Sequence, residues 1–289
     1  MAYEKHNFTD RSQIKALFVN FLKNTVSSRW TFVSEDSSDT GKVYFNHATE
    51  AKLRCYASFN YTGKTPIGNI YNADESRWQL GGYSVINGSA STNEGVVHFI
   101  CTENHLTILL ERNDNGMCIP IATWGFFDDV ALSNKGVYLA IESNYSYRMT
   151  HLACGNKNST TINGAWLRNR SGEKLNDLRS AGYFDDYRDN GYIRRDRMKM
   201  FAFALSGTAV FLPIFMRVSD TDNLGSSPFR IIFPDMFYTA RKGRYNGEVL
   251  EYQGQKYMYF HHYTTKDSDP SGNGAHPLGI LFRMEPGDV

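Results

Sequence analysis

Apolar residues recur along this chain at two different periods, and the change falls just before Trp30. Ahead of it, Ile14, Leu17, Phe18, Phe21 and Leu22 are spaced by threes and fours, which aligns them on one face of a helix over residues 9–26. Thr9 or Asp10 is placed to cap that helix, because a short side-chain oxygen accepts from first-turn amides that lack a partner within the helix. Asn24-Thr25-Val26-Ser27-Ser28 ends it. The apolar stripe must be buried on a sheet or on a neighbour, with Leu17 expected among its core positions.

From Trp30 onward the period is two. The segments Trp30–Val33, Lys42–Phe45, Leu53–Phe59, Val96–Ile100, Leu106–Leu110, Ile119–Trp124 and Val137–Ile141 read as strands. Further strands are expected at Met200–Leu205, Val210–Arg217, Phe229–Phe233, Glu248–Tyr252, Lys256–His261 and Gly279–Met284. Turn signals separate them, among them Asp39-Thr40-Gly41, Asn93-Glu94-Gly95, Asn134-Lys135-Gly136 and Gln253-Gly254. Asn and Gly tolerate the positive φ that tight hairpins require. This rhythm predicts a mainly β protein, with sandwich-like or barrel-like antiparallel lobes and one N-terminal amphipathic helix.

Residues 168–199 break the rhythm. They are charged and poor in aliphatics, and they read as a long excursion with a short helix near Glu173–Ser180. The organisation is therefore 1–30 helix and lead-in, 31–167 first β lobe, 168–199 arm, and 200–289 C-terminal strands that complete the fold or form a second lobe. Ordering such an arm costs roughly 1–2 kcal/mol of backbone entropy per residue. Contact with a partner is the expected offset, with Tyr183, Phe184, Tyr187 and Tyr192 as anchors and Arg194, Arg195 and Arg197 as charge partners. Asp186, Asp189 and Asp196 lie beside those arginines, which favours pairing within or between subunits over phosphate binding.

Composition narrows the function classes. Aromatic residues make up 14% of the chain, which favours strands and broad contact surfaces. The net charge is only +1, so no global drive toward nucleic acid exists and no direct binding of it is expected. No apolar run approaches the roughly 20 residues needed to span a bilayer. Met1-Ala2-Tyr3-Glu4-Lys5-His6 lacks the apolar core of a signal peptide, so synthesis in a cytoplasm is expected. Cys55, Cys101, Cys118 and Cys154 show no Cys-x-x-Cys spacing and read as buried free thiols.

Candidate chemistry is sparse. The eight histidines show no His-x-His or His-Glu-x-x-His spacing, and the adjacent His261 and His262 read as polar strand residues. His151 reads as a hydrogen-bonding residue at a strand end. The carboxylate pairs Asp128-Asp129 and Asp185-Asp186, and the run Asp220-Thr221-Asp222, read as solvated turns, because adjacent carboxylates do not face each other across a sugar as glycoside hydrolysis requires. Gly88-Ser89 and Gly225-Ser226 are not nucleophile elbows. Gly63-Lys64-Thr65 lacks the glycine of a phosphate loop, since Ser58 stands in its place. No metal, no cofactor and no enzymatic activity are expected.

Four segments occur in an order that resembles structural proteins of tailed-bacteriophage virions. They are the helix leading to Trp30; Gly81-Gly82-Tyr83 after Trp78; Tyr147-Arg148-Met149-Thr150-His151-Leu152 running into Gly155-Asn156-Lys157 and Gly164-Ala165-Trp166; and Leu212-Pro213-Ile214, Ser227-Pro228-Phe229-Arg230 and Tyr245-Asn246-Gly247-Glu248-Val249 before Gly254-Gln255-Lys256-Tyr257. The resemblance implies a virion subunit of the tail or baseplate, made in a bacterial host, with other virion proteins and copies of itself as partners. It carries no catalytic residues. The alternatives are a carbohydrate-recognising receptor module, which exposed aromatic platforms would support, and a virion-borne glycan hydrolase, which would need two carboxylates converging in a cleft.

Overall fold

The computed structural model describes residues 1–10, 12–38, 41–49, 53–59, 68–72, 77–78, 94–111, 118–129, 134–141, 165–168, 178–179, 211–218, 229–240, 244–261 and 278–286. Among these residues the chain is mainly β, with every strand pairing antiparallel and one short N-terminal helix. Strand β1 (Ala2–Phe8) precedes α1 (Gln13–Asn20), which runs on into a wider π turn over Phe21–Thr25. A five-stranded sheet follows, built in order from β2 (Trp30–Glu35), β3 (Lys42–His47), β4 (Leu53–Ser58), β5 (Gly68–Asn72) and β6 (Arg77–Trp78).

The larger sheet has 12 strands. Its N-terminal part contains β7 (Gly95–Cys101), β8 (His105–Glu111), β9 (Cys118–Asp129), β10 (Asn134–Ile141), β11 (Ala165–Arg168) and β12 (Leu178–Arg179). Its C-terminal part contains β13 (Leu212–Val218), β14 (Phe229–Ala240), β15 (Glu248–Tyr252), β16 (Gln255–His261) and β17 (Leu278–Arg283). The main path runs β1-β7-β8-β9-β14-β17-β16-β15, with β10 and β11 branching from β9, and β13 and β12 from β14. Strands on either side of the charged excursion thus share one sheet. Among the described residues that sheet does not close into a barrel.

Two long strands turn the sheet back on itself. One edge of β9 pairs with β8 as far as Gly125, then with β14 at Asp128 and Asp129, while its other edge pairs with β10. One edge of β14 likewise pairs with β9 at Ile231 and Ile232, then with β17 from Met236. Strands that change partners midway form the corners of sandwich-like packings. Gly125 stands where β9 leaves β8, and a Cβ there would lie 2.2 Å from the Asn104 carbonyl oxygen. Its absence lets the Phe126 amide donate to that carbonyl at 3.1 Å. A second irregularity shifts the register between Ile108 and Leu109 opposite Pro120, a residue with no amide to give the ladder. The β15–β16 hairpin closes through Gln253 (φ 51°) and Gly254 (φ 74°), two left-handed residues as a two-residue turn of this kind demands.

Both faces of β7 and β8 are buried. On one face Val97, Phe99, Cys101, Leu106, Ile108 and Leu110, with Trp124 of β9, pack against the helix and the five-stranded sheet. On the other, His98 meets Phe260 of β16 at 5.2 Å between ring centroids, and His105 meets Phe233 of β14 at 6.3 Å. Phe18 joins the two sheets. Its ring lies 5.6 Å from Phe45 and 5.7 Å from Phe59 on one side, and 5.6 Å from Phe99 and 6.2 Å from Trp124 on the other.

The sequence-based expectations need five adjustments. Leu17 is only partly buried, whereas Ile14, Phe18, Phe21 and Leu22 are fully enclosed. The helix presents its flank to two sheets, so the buried arc is centred one residue later and also takes in Lys15 and Val19. Lys15 is buried because its ammonium donates to the Asp36 and Ser38 carbonyls and pairs with Glu35 at 3.1 Å. The helix starts at Gln13: the Asp10 carboxylate accepts from the Ser12 amide at 2.8 Å, and Gln13 Oε1 accepts from the Thr9 amide at 2.9 Å. Hydrogen bonding to Ser12 holds the Asp10 carboxyl below its ordinary value. Leu178 and Arg179 form a strand on β13 where a helix was expected, since the open edge of β13 supplies pairing that a short polar segment lacks on its own. Asp128 and Asp129 lie within β9, not in a turn. Finally, β1 had no counterpart in the sequence reading.

Phe18→Ala is expected to lower unfolding stability by about 3–5 kcal/mol and Leu17→Ala by clearly less, because only the former removes atoms from a closed site. Denaturant titration of both variants checks this; equal losses would place the helix differently against the sheets.

Candidate functional site

Most polar groups in strands point to water, so buried ones carry information. One such group, with His98 and Cys118 buried and Tyr3 and Glu111 half-buried, lies on a single face of β1, β7, β8 and β9. His98 of β7 and Glu111 of β8 are diagonal neighbours, and Cys118 of β9 stands directly opposite Glu111. His98 Nε2 lies 2.7 Å from Glu111 Oε2, and the Tyr3 hydroxyl of β1 lies 2.9 Å from His98 Nδ1. A nitrogen, an oxygen and a sulfur from His98, Glu111 and Cys118 all fall within 4.8 Å of one another. Asn246 closes the group from the segment before β15: its Oδ1 accepts from the His261 amide at 2.7 Å, and its side chain also hydrogen-bonds Glu111.

The environment sets the protonation states. Burial pushes the His98 ring below its ordinary 6.5, outweighing the pull of Glu111, so the imidazole is neutral near pH 7. Burial is the largest single influence on Glu111 and raises it, but the interactions with His98, Lys5 and Asn246 together outweigh it and keep the carboxyl below the ordinary 4.5. The pair is therefore a neutral imidazole beside a carboxylate. Burial pushes the Tyr3 phenol up and raises the Cys118 thiol well above 9.0. A protonated thiol is a poor nucleophile. The arrangement offers a mixed N, O, S donor set.

A second buried polar group sits at the corner between β9 and β14. Asp235 accepts from the Thr102 hydroxyl at 3.0 Å, the Asn104 amide at 3.0 Å and the Asn104 side-chain amide at 2.8 Å. Thr102 Oγ1 also accepts from the His105 amide at 3.0 Å, and His105 Nε2 donates to the Phe126 carbonyl at 2.9 Å. The tip of the β7–β8 hairpin is thereby fixed where β14 exchanges β9 for β17. Every donor points inward to structure, which marks the group as a bracket. A third contact ties the chain ends together: Glu285 pairs with Arg29 and, at 3.5 Å, with the Met1 amine.

The residues singled out from sequence fare unevenly. Tyr183, Phe184, Tyr187, Tyr192, Arg194, Arg195 and Arg197 lie outside the described residues, as do His151, His262, Cys154, Asp185-Asp186, Asp220-Thr221-Asp222, Gly88-Ser89, Gly225-Ser226 and Gly63-Lys64-Thr65. Cys55, Cys101 and Cys118 are free buried thiols as expected. His261 is a strand residue as expected, its Nε2 donating to the Arg244 carbonyl at 2.6 Å. Asp128 is half-buried in β9 and registers with Lys135 and Ile232. The sequence reading missed the Tyr3–His98–Glu111–Cys118 group. Its members are scattered along the chain without motif spacing, with Tyr3 and His98 95 residues apart, and only strand register assembles them. The one local signal was a polar residue within each of two apolar runs, His98 in β7 and Glu111 at the end of β8. No described helix is long and apolar enough to cross a membrane.

Asp235→Ala leaves up to three donors without their acceptor, at about 1–3 kcal/mol for each orphaned buried group. It is expected to destabilise the protein strongly, and Asp235→Asn, which keeps one carbonyl acceptor, by less. Chemical denaturation orders the two variants; a loss under about 1 kcal/mol for Asp235→Ala would show that the corner does not depend on the bracket.

No protein-family model matches the chain, and no curated protein matches it.

Proposed function

We propose that this protein is a structural component of a tailed-phage virion, in the tail or baseplate, working by packing against other virion proteins and against copies of itself. The observation that carries the packing mode is the outer strand β15. Among the described residues it pairs only with β16, which leaves one row of its backbone donors and acceptors open. Among the described residues, three of the four exposed large hydrophobic ones lie on or just before it: Tyr245 at 69%, Val249 at 41% and Tyr252 at 40%. An open strand edge flanked by apolar side chains is the feature through which another chain adds a strand. The order of the segments that resemble phage virion proteins supplies the biological setting. The charged arm over 168–199 would add a second contact through Tyr183, Phe184, Tyr187 and Tyr192.

Tyr245 also favours a second reading, carbohydrate recognition by the virion. It is an aromatic face open to water beside Arg244 and Glu248, which pair at 3.2 Å. Sugar stacking on such a platform would not need the open edge of β15.

Purified particles are expected to contain the chain in a fixed ratio to the other tail proteins, as read by quantitative mass spectrometry; its absence from particles overturns the virion reading. Val249→Lys places a charge on the outer strand at a cost to folding within about 0.5 kcal/mol, as for ordinary surface positions. The variant is expected to fold normally and yet fail to incorporate. Normal incorporation of Val249→Lys, with loss of glycan binding in Tyr245→Ala, would favour the carbohydrate reading instead.

A further inference from the structure

We propose that His98, Glu111 and Cys118 form a zinc site that staples β7, β8 and β9 together. This goes beyond the assembly reading, does not depend on it, and departs from the expectation that the protein takes no metal. Three ligand types that zinc accepts converge from three adjacent strands onto one spot, with their donor atoms within 4.8 Å of one another. Zinc holds imidazole nitrogen and carboxylate oxygen at about 2.0–2.2 Å and thiolate sulfur at about 2.3 Å, so tetrahedral ligand atoms lie somewhat over 3 Å apart. The 2.7 Å between His98 Nε2 and Glu111 Oε2 would open by roughly half an ångström, within reach of side-chain rotation alone.

The surroundings fit the same ion. Ligating histidines usually have their other ring nitrogen fixed by a hydrogen bond, and ligating carboxylates are themselves held. Tyr3 occupies His98 Nδ1, which directs Nε2 at Glu111 and Cys118, and Asn246 holds Glu111. Cys118 makes no hydrogen bond among the described residues, so its sulfur is the uncommitted corner of the group. Charge also balances: a dication with one carboxylate and one thiolate is neutral, which removes the penalty for burying an isolated charge.

Before binding, His98 Nε2–H donates to Glu111, Nδ1 accepts from the Tyr3 hydroxyl, and Cys118 is a thiol. On binding, His98 stays neutral but carries its proton on Nδ1, where it donates to the Tyr3 oxygen. Cys118 loses its proton to solvent as the metal–sulfur bond forms. One proton is released per ion, and no electron moves. The three ligands leave a fourth position, which a water molecule would take.

The test uses the full chain, stripped with a chelator and titrated with Zn²⁺ and, separately, Co²⁺. One ion per chain is expected, together with release of one proton, a raised Tm and, with Co²⁺, a thiolate-to-metal charge-transfer band. Cys118→Ser, nearly isosteric, is expected to abolish that band and weaken Zn²⁺ binding at least tenfold while the circular dichroism spectrum stays native. If Cys118→Ser fails to fold, the wild-type titration and its Co²⁺ spectrum decide alone. No binding by the wild-type chain, a Co²⁺ complex without the thiolate band, or unchanged affinity in folded Cys118→Ser each overturns the proposal.

Discussion

The carboxylate of Asp235 holds the corner around which the larger sheet is built. A continuous twisted sheet of 12 strands has no reason to fold back unless some strands change partners, and a change of partner leaves backbone and side-chain polar groups in the gap. Here the gap is filled by the tip of the β7–β8 hairpin. Asn104 sends its carbonyl to Phe126 of β9 and both its amides to Asp235 of β14, so one residue bridges the two corner strands. Gly125 makes this approach sterically open. With the corner fixed, β14 and β16 lie over one face of β7 and β8, where Phe233 meets His105 and Phe260 meets His98.

The other face is covered by the helix and the smaller sheet, and here the binding force is apolar. Phe18 touches aromatic rings of both sheets, while Trp30, Phe45 and Trp124 continue the contact in edge-to-face pairs such as Phe45–Trp124 at 5.2 Å. The widening of the helix into a π turn, marked by the Val26 amide donating to the Phe21 carbonyl, puts both Phe21 and Leu22 inside and leads the chain directly into Trp30 of β2. The consequence is a central layer without a wet face. Polar residues within it, His98, Thr107, Thr123 and His105, are there because each has found a partner, as Thr107 and Thr123 do across β8 and β9 at 3.1 Å.

These two kinds of cohesion leave different surfaces for function. The buried His98–Glu111–Cys118 group is roofed by β1 and Asn246, and so is suited to an ion more than to a substrate. The outer strand β15 lies at the far end of the same sheet, with its backbone edge open and apolar side chains around it. The assembly contact uses that edge, and the zinc site uses the Glu111 end of β8 with His98 and Cys118. Either can hold without the other.

By itself the sequence determined the local elements. The alternation in Val96–Ile100, Leu106–Leu110, Phe229–Phe233 and Lys256–His261, and the turn at Gln253-Gly254, give strands and a hairpin because side-chain period and backbone dihedrals are properties of a few consecutive residues. The helix stripe was legible for the same reason, and so were three buried thiols. Only the tertiary structure decided that Ala2–Phe8 is a strand, since its Tyr, Glu, Lys, His and Asn residues show no apolar face and take their conformation from pairing with β7. It also decided that Leu17 sits at the rim and Asp128 in a strand, because burial depends on what arrives from elsewhere in the chain. The site shows this most plainly. Tyr3, His98, Glu111 and Cys118 carry no spacing that a motif could record, because the distance between them is set by register across four strands, and register is fixed only when the core chooses which face of each strand to bury.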